Sequence, residues 1–485
     1  MCADTAGSQE RRSFLRQLLP AGILLLSVCS GHSLADEILA LTGARIIDGN
    51  GGPAREDAVV IVQGQKISAI GPASVIPANA RVMDLAGKTL LPGLIDAHIH
   101  IGGSGGGSAD PREFTPTAVE NSLLSYLKFG VTSIYDMAAH PSLNSMKTAL
   151  ETGELTGPRL YGNGFGITAP GSHPIRLITE LGLLDYLGPF YFQVDSVADA
   201  EEAVRRISAE QVDGIKLFHS RVEAGTTRFD ADMDKLKPEI LQTVIEQAHA
   251  RRLRVYAHTS FPSEAREFVE AGGDVVVHSI HMAETGARDV FELMAARDVA
   301  YIPTLAVFEG GYTMEPGSFF SPQQHEKVWD VLLASITAPG SVVLASRTVP
   351  GLLNDRERSL EISMANLARA LQTGVKIAMG SDAGNAGMLH GATVLRELQL
   401  MNEAGMTPMQ VIVAATRNGA EVIGRGEELG TLEAGKLADI IVVNGDPLQD
   451  LSALGNVELV VKNGKIINPG ELEFKEVQQP TGDGS

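Results

Sequence analysis

Cysteine and positive charge are both scarce in this chain of 485 residues. The two cysteines, Cys2 and Cys29, lie near the N-terminus, so the rest of the chain can form neither a disulfide framework nor a thiolate metal site. Lys and Arg number 39 against 59 Asp and Glu, which gives a net charge of −20. We therefore expect no nucleic-acid partner, because phosphate binding needs clustered cations.

Long apolar runs are also missing, apart from a short one near the N-terminus. Residues 18–28 are largely apolar, but a membrane-spanning helix needs ~20 residues, so we expect no stable membrane anchor. The run follows Arg11-Arg12-Ser13-Phe14-Leu15-Arg16 and precedes the small residues at 33–35, the order of a twin-arginine signal peptide. We expect cleavage of residues 1–35 near Ala35 and a periplasmic or secreted protein. A general secretory signal would also predict export.

The two ends of the mature chain are both rich in short strand-like segments. Residues 36–92 contain apolar runs at 38–41, 58–62 and 66–70, separated by Gly, Asn and Pro. Residues 426–470 repeat the pattern at 439–443 and 457–461. We predict one small β-sandwich domain built from both segments. Residues 471–485 are polar and are expected to be a flexible tail.

The middle of the chain, residues 93–425, alternates apolar runs with amphipathic segments, as βα units of a parallel sheet do. In Glu239–Ala250, for example, apolar residues recur at helical spacing. Eight such units predict an α/β fold, a (β/α)₈ TIM barrel, with an open doubly wound sheet as the alternative. The predicted strands are Leu94–Ile101, Thr132–Met137, Arg159–Thr168, Gly214–His219, Arg254–Thr259, Asp274–Ile280, Tyr301–Val307 and Lys376–Ala383.

Residues 309–356 form an insertion that is too long for a βα loop. The insertion follows the seventh predicted strand, at the end of a barrel where active sites lie. We therefore interpret it as a lid or pocket wall, with a subunit-contact arm as the alternative.

Metal-ligand side chains occur at the predicted strand ends. His98 and His100 are separated by one residue, so in a strand both imidazoles face the same side and can share a cation. A histidine at a strand end is ordinarily structural, and a buried lysine is ordinarily ion-paired. The joint occurrence of such residues at successive strand ends predicts a single metal site instead. Its further members are Lys216, His258, His278 and Asp382.

The chain resembles the amidohydrolase superfamily, in particular its imidazolonepropionase-like and Xaa-Pro dipeptidase-like members. The resemblance covers residues 38–465 and includes the motif Leu91–His100, the pair His390-Gly391, the segment Ala404–Pro408 and the run Leu429–Asp439. It implies a hydrolase with two divalent metal ions.

By this resemblance, His98, His100 and Asp382 hold the first ion, and His258 and His278 hold the second. Lys216, carboxylated to N6-carboxylysine, bridges the two ions. Imidazole and oxygen ligands suit zinc first, with manganese, cobalt or nickel as alternatives. A hydroxide shared by the ions would be the nucleophile, and Asp382 would be the catalytic residue that transfers protons.

Other residues are weaker candidates for the site. His173, His219 and His390 are tentative substrate-binding residues, each with an ordinary structural role as the alternative. We interpret the histidines at positions 249, 281 and 325 as structural. Tyr135 departs from the Arg-Asp pair that many relatives have after the second strand, which puts in doubt any substrate carried over from those relatives.

We predict hydrolysis of an amide bond in a small molecule such as a dipeptide, an N-acyl amino acid or an aromatic amide. A cyclic-amide or carbamate hydrolase of the same superfamily is the alternative. Two other classes are disfavoured. A mononuclear deaminase would not need the bridge from Lys216, and a metal-free binding protein would be expected to lack some of the ligands that are all present here. Because many relatives are homo-oligomers, we expect one.

Export can be tested by replacing Arg11 and Arg12 with lysines. If the twin-arginine route is used, the precursor should accumulate in the cytoplasm, as fractionation and immunoblotting would reveal. Unchanged export of this variant would rule out that route.

Overall fold

A computed structural model describes residues 37–56, 58–102, 114–138, 142–180, 182–222, 233–282, 285–309, 356–385 and 387–475. None of the helices in these ranges is both long and apolar enough to cross a membrane. The strands are β1 Ile38–Thr42, β2 Arg45–Ile46, β3 Val59–Gln63, β4 Lys66–Gly71, β5 Arg81–Asp84, β6 Lys88–Pro92, β7 Leu94–Ile99, β8 Val131–Asp136, β9 Arg159–Gly162, β10 Gly166–Thr168, β11 Tyr191–Gln193, β12 Gly214–Phe218, β13 Arg254–His258, β14 Val275–Val277, β15 Ala300–Ile302, β16 Ile440–Asn444, β17 Val457–Lys462 and β18 Lys465–Ile467.

The α-helices in the same ranges are α1 Pro116–Lys128, α2 Leu143–Thr152, α3 Ile175–Glu180, α4 Leu184–Leu187, α5 Val197–Ser208, α6 Pro238–His249, α7 Pro262–Glu270, α8 Ala287–Ala296, α9 Leu305–Glu309, α10 Arg356–Thr373, α11 Thr393–Glu403, α12 Pro408–Ala414 and α13 Arg417–Val422. The helix predicted over Glu239–Ala250 is therefore observed as α6. Its apolar side chains are buried, as the helical spacing predicted.

The apolar runs at the two ends of the chain form two sheets that share a core. One sheet has the order β4-β3-β1-β5, and the other has the order β18-β17-β16-β6-β2. The antiparallel pairing of β16 with β6 joins strands that are about 350 residues apart in sequence, with Ile441 opposite Leu91. Leu41 and Val60 of the first sheet pack in one cluster with Val442 of the second. Residues from both ends are thus needed for this core.

The middle of the chain forms parallel sheets with helices between the strands. β7, β8 and β9 form a three-stranded sheet, and a six-stranded sheet has the order β11-β10-β12-β13-β14-β15. The strands β7, β8, β12 and β14 are buried throughout, and β7, β8 and β12 bury polar side chains as well as apolar ones. The third predicted strand, Arg159–Thr168, is divided into β9 and β10. β9 pairs with β8 in the three-stranded sheet, and β10 pairs with β12 in the six-stranded sheet.

The eighth predicted strand, Lys376–Ala383, makes isolated bridges rather than a ladder. On one side, Tyr301 N donates to Lys376 O at 2.9 Å. On the other side, Asp382 N donates to His98 O at 2.8 Å. The segment therefore contacts both parallel sheets, and it places Asp382 beside the end of β7.

Three predicted segments lie wholly or largely outside the described residues. These are the signal peptide 1–35, the insertion 309–356 except for its first and last residues, and the tail beyond residue 475. The first part of the predicted flexible tail, residues 471–475, is described and makes contacts. Lys475 N donates to Asn121 Oδ1 at 2.8 Å, and Asn121 Nδ2 donates to Lys475 O at 2.8 Å.

Candidate metal centre

Two histidines and an aspartate meet at the C-terminal end of β7. His98 is fully buried, whereas the side chain of His100, just beyond the strand, is 19% exposed. Their Nε2 atoms lie 3.3 and 3.1 Å from Asp382 Oδ1. Each of the three residues offers a ligand atom within 4.8 Å of the others. The i, i+2 spacing thus brings both imidazoles to one carboxylate.

The backbone around Asp382 is shaped for this contact. Asp382 has a φ of 56°, and Gly384 has a φ of 98°. A Cβ at Gly384 would lie 2.0 Å from His100 O, so only glycine fits where the two strand ends approach each other. Asn385 Nδ2 donates to Asp382 Oδ1 at 2.7 Å and holds the carboxylate in place.

Three further histidines extend the cluster across neighbouring strand ends. His258 is the last residue of β13, and His278 directly follows β14. The ring centroids of His98 and His278 are 4.5 Å apart, those of His278 and His258 are 4.4 Å apart, and those of His258 and His173 are 4.5 Å apart. His278 Nδ1 lies 3.4 Å from Asp382 Oδ2. Four imidazoles therefore form a continuous row that reaches Asp382.

Lys216 in β12 is fully buried, with its Nζ 5.2 Å from the centroid of the Phe218 ring. Burial lowers the pKa of Lys216 to about 7, and the negative charge of Asp382 opposes that shift. Near neutral pH, a large fraction of the amine is therefore uncharged and nucleophilic.

The electrostatics of the cluster fit a bound cation. Burial lowers the pKa of His98, His258 and His278 well below 6.5, so these imidazoles are neutral and offer lone pairs. Within the described part of the chain, Lys216 Nζ and both ring nitrogens of His98 and of His258 have no hydrogen-bond partner. Buried polar atoms are ordinarily bonded, so these five atoms indicate a ligand.

Two buried aspartates support the strand ends, and sequence reasoning assigned no role to either. Asp96 accepts hydrogen bonds from the hydroxyl and backbone N–H of Ser381, the latter at 2.9 Å, and from His98 N at 3.3 Å. Burial raises the pKa of Asp96 to about 7. Burial also raises the pKa of Asp136 to about 6, with His100 opposing that shift. Their only sequence signal is their position, beside the His-x-His motif and at the end of the second strand.

The tentative substrate residues have different surroundings. His173 joins the histidine row described above. His390 Nδ1 is 2.9 Å from the Tyr126 hydroxyl, and its buried Nε2 has no partner among the described residues. His219 Nε2 lies 3.0 Å from Glu267 Oε2 on α7, a contact that accounts for this ring nitrogen without a substrate. Contact of these histidines with substrate stays a prediction.

The histidines interpreted as structural have protein contacts where they are described. His249 Nε2 lies 2.9 Å from Asp274 Oδ2 at the surface. His281 Nδ1 is 3.1 Å from Ser279 O, and its ring packs against Phe308. His325 lies outside the described residues.

Tyr135, which departs from the Arg-Asp pair of many relatives, is fully buried in an apolar cluster with Tyr256. Its hydroxyl donates to Asn163 Oδ1 at 2.5 Å. A Cβ at Gly214 would lie 2.6 Å from the Tyr135 hydroxyl oxygen and 2.7 Å from Tyr256. The glycine that opens β12 therefore makes room for these two rings in the interior.

Parallel strands flanked by helices, with imidazoles and a carboxylate gathered at the strand ends, define the class of metal-dependent hydrolases. A sequence model of the amidohydrolase family matches residues 89–467, and the chain belongs to that family. The family expected from the sequence is thus confirmed, and the superfamily is metal-dependent.

Known relatives agree with this assignment. Ochratoxinase from Aspergillus niger is 25% identical over 451 residues, covering 88% of this chain and 86% of that protein. Imidazolonepropionase from Alkaliphilus metalliredigens is 24% identical over 447 residues, covering 85% and 90%. A solved Xaa-Pro dipeptidase with bound methionine has a TM-score of 0.71 at 23% identity, covering 89% of this chain and 100% of that one. This chain is accordingly a hydrolase that acts on carbon–nitrogen bonds, with a mixed α/β fold of the TIM-barrel type.

The buried neutral imidazoles predict a pH dependence for the chelator-treated protein. An unfolded chain protonates its histidines near pH 6.5, whereas the folded pKa values of His98, His258 and His278 are lower. Below about pH 6.5 the unfolded state therefore binds more protons at these three rings, and their contribution to the free energy of unfolding should fall as the pH decreases. The raised pKa values of Asp96 and Asp136 contribute in the opposite direction, so the contribution of the imidazoles is read from the difference in slope between wild type and a variant that lacks one of them. Urea denaturation in EDTA between about pH 7.5 and pH 5.5 measures this slope.

Two variants check the source of the slope. His258→Asn should reduce the slope because it removes one of the buried titrating groups. His249→Asn is the control, because that ring is 44% exposed. Equal slopes in wild type and His258→Asn would contradict the prediction.

Proposed function

We propose that this protein is an exported amidohydrolase that cleaves an amide bond of a small molecule, such as a dipeptide, an N-acyl amino acid or an aromatic amide. The observation that carries the proposal is the meeting of His98, His100 and Asp382 within ligand distance of one another, beside the row of buried imidazoles. Membership of the amidohydrolase family supports the reaction class.

The donor set supports two divalent ions, with zinc as the first choice because the ligands are imidazole and oxygen. His98, His100 and Asp382 would hold the first ion, and His258 and His278 would hold the second. Lys216 would bridge the two as N6-carboxylysine. Its burial and lowered pKa support this modification, because the uncharged amine is the form that adds to carbon dioxide. The neutral amine would add to carbon dioxide and lose one N–H proton, which leaves an anion with two ligand oxygens.

The chemistry follows from these assignments. When bound, the two cations would polarise the substrate carbonyl. They would also lower the pKa of a water molecule that they share, so that it would be present as a bridging hydroxide. Asp382 would accept the proton of that hydroxide as it attacks the carbonyl carbon and would deliver it to the leaving nitrogen, because one carboxylate can serve two transfers that occur in sequence. Asn385 holds that carboxylate through Oδ1. His173, His219 and His390 would contact the substrate beside the metal ligands, and the buried Nδ1 of His219 and Nε2 of His390 have no partner among the described residues.

The finer architecture is also part of the proposal. We infer that the eight strand units close into one (β/α)₈ barrel. The contacts of residues 376–383 with Tyr301 on one side and His98 on the other support this closure. The two terminal sheets would form a β-sandwich around their common core. Export through residues 1–35 to the periplasm or medium and assembly into a homo-oligomer complete the proposal.

A cyclic-amide or carbamate hydrolase is the second candidate. The similarity to an imidazolonepropionase favours it, because that relative covers most of this chain at nearly the same identity as the ochratoxinase. The reacting groups would be unchanged, and only the shape of the substrate pocket would differ.

The reaction can be tested on the purified protein after reconstitution with Zn²⁺. The substrate screen includes dipeptides, N-acyl amino acids, lactams and carbamates. We expect hydrolysis of an open-chain amide. Asp382→Asn should lower kcat by about 100-fold or more while metal ions are retained, because the proton acceptor is lost. Asp298→Asn, with an 84% exposed side chain, is the control. Full activity of Asp382→Asn would contradict the assigned role.

Carboxylation of Lys216 predicts a labelled carbamate. After incubation with ¹³C-bicarbonate and Zn²⁺, wild-type protein should show a carbamate carbon by NMR, because the buried amine is available as the free base. Lys216→Ala should lack this signal. Lys376→Ala should keep it, because Lys376 is half-buried and ion-paired with Asp298 and Glu421. A wild-type spectrum without the signal would contradict the modification.

A further inference from the structure

The sixth and seventh strand units end in unusual backbone conformations that lie side by side. His278 follows β14 with a φ of 68°, and Thr304 follows β15 with a φ of 46°. Such left-handed conformations are unfavourable for a non-glycine residue and persist only when the surroundings impose them. Contacts near these two residues must therefore hold the backbone in place.

Two hydrogen bonds tie these strand ends to each other. Ser279 Oγ donates to Pro303 O at 2.7 Å, and Thr304 Oγ1 lies 3.1 Å from His278 Nδ1. All of these residues are buried. The hydroxyl of Thr304 is thus the polar group bonded to the His278 ring.

A buried glutamate fixes the segment that carries Thr304. Glu397 on α11 accepts from Leu305 N at 3.0 Å and from Ala306 N at 2.7 Å, the first two amides of α9. Glu397 is fully buried, so these contacts are not weakened by solvent. The next residue, Arg396, binds Glu309 at the other end of α9. Helix α11 therefore holds α9 at both ends and sets the position of Thr304.

The surroundings of His278 Nδ1 favour a proton on that atom. Asp382 Oδ2 lies 3.4 Å away, and because a carboxylate oxygen can accept but not donate, it would repel a nitrogen lone pair that faced it. The Thr304 hydroxyl can accept the same N–H group. With Nδ1 protonated, the lone pair of the neutral imidazole is on Nε2.

We propose that Thr304, held by Glu397, is a positioning residue that fixes the ring and the tautomer of His278 so that Nε2 is available to a metal ion. The inference rests on the proposed function, in which His278 is a ligand of the second ion. Partners of this kind typically change metal affinity by about 10- to 100-fold when they are lost.

The test uses Thr304→Val, which removes the hydroxyl but keeps the branched shape at this backbone position. Zn²⁺ titration in competition with a chromophoric chelator should show the first dissociation constant unchanged and the second weakened by about 10- to 100-fold. The absorption spectrum of the Co²⁺-loaded variant should change as well. Thr304→Ser should restore both readouts, because the hydroxyl is kept.

Two further variants separate positioning from general damage to the fold. Thr393→Val removes a buried hydroxyl that has no partner in the described part of the chain, so it should leave both dissociation constants unchanged. Glu397→Gln keeps the shape but only one acceptor oxygen, so it should weaken the second site less than Thr304→Val does. It also tests the inference if Thr304→Val fails to fold.

The outcomes distinguish this inference from the proposed function. If wild type binds two ions and both Thr304→Val and Glu397→Gln bind them equally well, the positioning role is overturned and the proposed function stands. If wild type binds fewer than two ions, the binuclear function fails, and the inference fails with it.

Discussion

The site depends on one constraint, the burial of nitrogen atoms that the described protein leaves without hydrogen bonds. These atoms belong to His98, His258 and Lys216. Leaving one such group unsatisfied costs about 1–3 kcal/mol, whereas a whole domain is stable by only about 5–15 kcal/mol. Apolar side chains at these three positions would avoid this cost, but the histidines and the lysine would then be lost. A bound cation would instead satisfy the imidazole lone pairs, and carboxylation would give the lysine a role as a ligand.

Much of the fold could be predicted because the buried parallel strands are continuous apolar runs with amphipathic helices between them. The strand ends could not be predicted so well, because contacts between strands decide them. The strand predicted over Tyr301–Val307, for example, ends at Ile302. Pro303 has no N–H for a ladder, and Leu305 starts a helix whose first amides are bonded to Glu397. The proline was a visible signal, but its distant partner was not.

The gathering of His98, His258, His278 and Asp382 could be predicted because parallel strands place their C-terminal ends together. Their supports could not, since these come from other parts of the chain. The bond of Asp96 to Ser381 spans 285 residues, and Glu397 reaches α9 from a helix about 90 residues later. His219 is a further example. Its spacing from Lys216 does not reveal that Glu267, on helix α7, lies 3.0 Å from its Nε2. Spacing predicts which side chains share a strand end but does not predict which way each ring turns.

Backbone strain at this end of the sheets coincides with the metal ligands. Asp382, His278 and Thr304 all have left-handed φ values, and each lies at or just beyond a strand end. Because the surrounding hydrogen bonds hold these conformations, the fold itself brings the side chains of Asp382 and His278 together. In such a preorganised site, the free energy of ordering these side chains is spent during folding. A cation that entered the site would then meet side chains that are already close to one another. Substrate choice would then depend on side chains beyond the proposed ligands.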